Sequence, residues 1–113
     1  MQRRNLIAAS AVTLMAGSLP LARAQQDLPK KITIVVGFAA GGAADHAARV
    51  VAKRLGENLG ATVVIDNKAG AGGNIAHKQV AEAEADGSVL LLGSVGPLAI
   101  APHLMKVGYN PQK

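Results

Sequence analysis

The chain has 113 residues, with twelve Lys and Arg against seven Asp and Glu and a formal charge of +5. It has no cysteine, which excludes disulfides, zinc thiolate sites and thiol catalysis. Phe38 and Tyr109 are its only aromatic residues and the basic residues form no stripe, so nothing in the sequence points to nucleic acid.

The first element in chain order is MQRRNLIAASAVTLMAGSLPLARAQQ. Arg3 and Arg4 make a basic start. Leu6 to Leu19 is uncharged and apolar, but shorter than the about 20 residues that span a bilayer. Pro20 ends the run, and Ala22-Arg23-Ala24 has the small-residue form of a cleavage site. Together these read as a secretory signal peptide, residues 1–24, with a mature chain from Gln25. The arginine pair also suits twin-arginine export, with the general secretory route as the alternative. Either route predicts a periplasmic protein. Without Arg3, Arg4 and Arg23, nine basic residues face seven acidic ones, so the mature charge falls to about +2.

Lys31 to Phe38 (KITIVVGF) is a β-branched apolar run, the mark of a strand buried on both faces. A helical pattern follows Gly41-Gly42: Ala44, Ala47, Ala48, Val51, Ala52, Leu55 and Leu59 recur at three- and four-residue steps, and Gly60 stands where a helix would end. Thr62 to Asp66 predicts a second strand, Asn74 to Ala85 a weaker helix, and Ser88 to Leu92 a third strand after the Asp86-Gly87 turn. Leu98 to Met105 predicts a short helix. The order β-α-β-α-β predicts an α/β fold, a parallel sheet with flanking helices.

Each strand is expected to leave its carboxyl end in a glycine-bearing loop: FAAGGAAD, NKAGAGGN and GSVGP. Ligands of open α/β sheets bind outside those ends. A glycine-rich loop opening a helix offers free amides and the positive end of the helix dipole, which suits phosphate or carboxylate. Gly41-Gly42 and Gly72-Gly73 are two such cradles. Asp45, in the first helical turn, reads first as a group that satisfies free amides and suits the dipole; ligand contact is the alternative.

GAGGNIA, Gly70 to Ala76, resembles the dinucleotide fingerprint G-x-G-x-x-G/A. Its setting does not. Asp66-Asn67-Lys68 separate the glycines from the strand, and the next strand carries no acid near its end for a ribose. Ser88 and Ser94 lie in no G-x-S-x-G elbow, and the carboxylates form no acid/base pair. His46, His77 and His103 lack metal-ligand spacing and read as surface or helix residues. The chain is therefore read as non-enzymatic, with no cofactor and no metal. A nucleotide-dependent oxidoreductase using GAGGNIA, and a small module that self-associates through open sheet edges, are the alternatives.

From Lys31 to about Pro111 the sequence resembles the Bug family, the periplasmic solute-binding receptors of tripartite tricarboxylate transporters. The resemblance lies in FAAGGAAD after the first strand, AR in the first helix, VVIDNKAGAGGN, and DGSVLLLGS. The chain departs from the family pattern at Gly37, where proline is usual. It departs again at Ala39-Ala40 and Ala43-Ala44, where Pro, Ser or Thr is commoner, and at Ser88-Val89. The resemblance implies a two-lobed clamp that captures a small carboxylate, either a di- or tricarboxylate, an acidic amino acid or an aromatic acid, and docks on a membrane permease. Carried onto this chain, the ligand-binding positions are Phe38, Ala39, Ala40, Gly41, Gly42 and Asp45, with Gly72, Gly73, Asn74, Gly93 and Ser94 close by. Residues 25–113 then form the beginning of the first lobe. The second lobe is absent from this sequence, so the chain is expected to be a fragment or a truncated frame, inactive alone.

Overall fold

The structure, a computed structural model, describes residues 27–112. The expected signal peptide and its cleavage site lie outside the described residues. Among the described residues, no helix is long and apolar enough to cross a membrane.

Strand β1, Lys31–Val36, is followed by helix α1, Ala43–Leu59, and strand β2, Thr62–Asn67. A 3₁₀ turn, Ala71–Gly73, leads into helix α2, Asn74–Ala81, and then strand β3, Val89–Leu92. A π-helical turn, Gly96–Ile100, runs into a short helix α3, Ala101–Leu104. The three strands form one parallel sheet in the order β2-β1-β3. The chain steps from β1 outward to β2, then crosses β1 to reach β3. A parallel arrangement puts every strand's carboxyl end on the same edge, so all three glycine loops emerge there.

β1 is central, and its sequence shows why. Side chains alternate across a strand, and Ile32, Ile34, Val35 and Val36 are all buried. Only an apolar run of this kind suits a strand covered on both faces. Ile34 and Val36 pack with Ala48 and Ala52 of α1, with Ala44, Leu55, Val63, Ile65 and Leu92 closing round them. Val35 and Gly37 turn to the other face, which α2 covers. A Cβ on Gly37 would lie 3.0 Å from the Gly73 Cα and 3.4 Å from the Ala76 Cβ, so backbone meets backbone there.

The elements differ from the sequence pattern in four ways. The apolar stripe of α1 is narrower than expected: Ala47, Val51 and Leu59 are exposed, because among the described residues α1 packs chiefly on β1 and β2. β1 ends at Val36 instead of Phe38, where Gly37 breaks away into the loop. α2 stops at Ala81 instead of Ala85. Glu82, Glu84 and Asp86 crowd its carboxyl end, where the helix dipole disfavours negative charge, and Asp86 instead takes the Ser88 N–H at 2.8 Å to start the turn into β3. The last helix begins earlier than Leu98, with Pro97 in the first turn of the π-helical segment, where a missing N–H costs nothing.

Candidate functional site

The site is built at the carboxyl edge of the sheet. In the first loop Phe38, Ala39, Ala40 and Gly42 line a hollow of about 410 Å³ with Ala43 and Ala44. Gly42 is the N-cap of α1 and no side chain caps the helix. The first intrahelical bond is His46 N–H to the Gly42 carbonyl, so the amides of the first turn are left without intrahelical acceptors.

Asp45 lies in that turn, but its carboxylate faces inward. Its side chain is buried, and its oxygens are held by the Gly41 N–H at 2.9 Å, the Arg49 Nε at 2.9 Å and the Asn67 Nδ2 at 3.1 Å. Asn67 spends its second amide hydrogen on the Phe38 carbonyl at 3.2 Å. The hydrogen bond from Arg49, and then that from Gly41, hold the Asp45 carboxyl down at about 2. Asp45 therefore ties the loop, α1 and the end of β2 together, and Arg49 balances its charge. These partners take both acceptor sites of Asp45 Oδ2 and one of Oδ1, which favours the structural role of Asp45 over ligand contact.

The second loop carries Gly72, Gly73 and Asn74. Gly73 has φ +96, the left-handed region, and its N–H donates to the Gly70 carbonyl at 2.9 Å. A Cβ there would lie 3.1 Å from the Pro97 Cγ and 3.8 Å from the Ser94 Oγ. The third loop thus touches the second at Gly73, while Gly37 touches it from below. Asn74 directs Nδ2 to the Ala71 carbonyl at 2.7 Å, and its Oδ1 lies 2.6 Å from the Tyr109 hydroxyl. Ser94 Oγ is buried with no protein hydrogen-bond partner. Gly93 is exposed beside it.

His77, read as a surface or helix residue, lies in α2 and is buried. Its Nδ1 lies 2.9 Å from the Gly73 carbonyl, which can only accept, so Nδ1 carries the proton. Sequence reasoning also missed Arg49, Asn67 and Tyr109. Arg49 stands four residues after Asp45, a spacing that pairs side chains on a helix. Tyr109 lies 35 residues from Asn74 and gives no local signal. Among the described residues, no group of His, Asp and Glu could hold a metal ion.

Residues 47–113 match the family described as tripartite tricarboxylate transporter family receptor. The chain belongs to this receptor family. Its members are substrate-binding receptors and not enzymes, so the oxidoreductase alternative falls and GAGGNIA is a receptor loop. The UPF0065 protein in the TAR-I ttuE-ttuC' intergenic region of Agrobacterium vitis is 41% identical over 103 residues, covering 89% of this chain and 30% of that protein. Protein BugT of Bordetella pertussis is 46% identical over 77 residues, covering 67% of this chain and 24% of BugT. MatC from Rhodopseudomonas palustris with bound malate superposes with a TM-score of 0.69 at 39% identity, over 74% of this chain and 29% of MatC. Rpa4515 of R. palustris with adipate gives 0.65 at 38% identity, over 73% and 28%. The chain spans about 30% of the length of the curated relatives it matches.

Proposed function

We propose that the chain is the beginning of the first lobe of a periplasmic receptor that captures a small carboxylate for a tripartite tricarboxylate transporter. The observation that carries this reading is the uncapped first turn of α1, set on the same sheet edge as the other two glycine loops. Free amides and a helix dipole favour an anion. Asp45, which would repel one, is turned inward and neutralised by Arg49. Relatives whose structures hold malate and adipate support a carboxylate as the ligand.

On this reading the amides of Phe38 to Ala40, of Gly42 and of the first turn of α1 meet one carboxylate, while the Gly41 N–H stays on Asp45. Gly72 and Gly93, both exposed, allow close approach, and Gly73 and the buried Ser94 hydroxyl lie behind them. Asn74 shapes the second loop instead of reaching the ligand. A second lobe closes over the ligand, and the closed form docks on the permease. Residues 1–24 act as the export signal.

The test uses the full-length protein recovered from the periplasm, its mass checked for a start at Gln25. It is titrated with malate, adipate, glutamate and benzoate, with the matching amides as neutral controls. One acid at about 100 times its Kd is expected to raise stability by about 2.7 kcal/mol, while its amide does nothing. Equal effects of acid and amide, or no binding by any acid, would sink the proposal.

A further inference from the structure

The second and third glycine loops come from different parts of the chain, yet one side chain joins them. The Tyr109 hydroxyl lies 2.6 Å from the Asn74 Oδ1 and 2.8 Å from the Pro97 carbonyl. Both partners accept and the phenol has one proton, so the two share it. Asn74 passes the link on, because its Nδ2 donates to the Ala71 carbonyl at 2.7 Å. The Tyr109 ring sits over His77 with centroids 5.8 Å apart, and His77 in turn donates to the Gly73 carbonyl. The hydroxyl group of a residue outside all three loops therefore fixes Pro97 and, through Asn74, Ala71 from behind, while its ring backs His77, which holds Gly73. Ser94 lies inside the same cluster, beside Gly73.

We infer that Tyr109 is a positioning residue for ligand capture: its hydroxyl holds the second and third loops in the register at which their backbone can receive a carboxylate. This rests on the carboxylate-receptor reading. Backbone cradles act only when their amides are already aimed, since each donor must sit at hydrogen-bond distance from the anion. Without the hydroxyl, nothing else described crosses from Asn74 to Pro97 by a hydrogen bond, and the contact that remains is the apolar one between Gly73 and Pro97.

The test is Tyr109→Phe in the full-length protein, which keeps the ring over His77 and removes only the hydroxyl. Two readouts are taken: the Kd for whichever acid the wild type binds, and amide hydrogen exchange without ligand. The expected result is a Kd weaker by about tenfold, as for the loss of one well-made hydrogen bond. Exchange should quicken at residues 71–74 and 93–97, with β1 and α1 unchanged. A second variant checks the route. In an Asn74→Ala background, Tyr109→Phe should weaken binding much less than it does alone. A Kd within twofold of wild type would overturn the inference, as would faster exchange spread evenly over the sheet, which marks general destabilisation. If the wild type binds no acid, the receptor reading fails by itself, and the exchange pattern alone then decides whether Tyr109 ties the loops.

Discussion

Asp45 keeps a negative charge in a nearly buried place because three donors meet it. Its carboxyl titrates at about 2, below the usual unfolded value near about 3.9. A depressed value means that the folded state holds the ionised form more tightly. The stability this contributes is full above about pH 4 and is lost as pH falls towards 2. Asp45→Asn would keep the shape, lose the charge, and point an amide at the donors of Arg49 or Asn67. The variant should melt several degrees below wild type at pH 7, and the gap should close between pH 4 and pH 2. Thermal melts followed by circular dichroism across that range check this; a gap constant with pH would mean the charge plays no part. The aspartate, its place in the first turn and its bias towards a structural role could be read from the sequence. Its partnership with Asn67 could not, because 22 residues separate the two and only the parallel register of β1 and β2 brings them together.

At the scale of elements, the loops depend on how closely β1, the 3₁₀ turn and the π-helical turn approach one another. Gly73 is where the three meet. Ala at this position would be strained at φ +96 and would also press on the Pro97 Cγ at 3.1 Å. Gly60, the C-cap of α1, provides the comparison. It also has a positive φ, +61, but a Cβ there would meet nothing within 4 Å. Gly60→Ala should therefore cost about 1–2 kcal/mol from backbone strain alone, and Gly73→Ala distinctly more. Urea unfolding of both variants measures the difference. Equal costs would show that the third loop yields freely. The strands and α1 were legible because β-branched runs and helical periodicity are local signals. The end of α2 and the π-helical turn were less so. Glu82, Ala83, Glu84 and Ala85 are good helix formers, and only the charge at the helix end and the need to return to β3 stop them. The cradle glycines could be picked out by type, whereas the contact of Gly73 with both Gly37 and Pro97 is a product of tertiary packing.

At the scale of the whole molecule, the described residues make one wall of the proposed site. β1 is sealed on both sides, but β2 and β3 are both edges of the sheet, and β3 has only four residues. Val95, Leu98, Ile100, Leu104 and Met105 are exposed beyond it. A ligand seated against the three loops would meet protein on one side and water on the other, whereas binding sites for small molecules usually enclose about 70–90% of the ligand. The affinity should suffer accordingly. If the full-length receptor binds its acid at about 1 μM, near −8 kcal/mol, and one wall supplies about half of that, the remainder corresponds to roughly millimolar binding. Segment 25–113 expressed alone should therefore bind about a thousandfold more weakly than the full-length protein. Calorimetry on both, with circular dichroism to establish that the segment is folded, measures this. A folded segment that binds within tenfold of the full-length protein would mean that the three loops hold the acid unaided. The second lobe of the proposed receptor would then serve some purpose other than affinity.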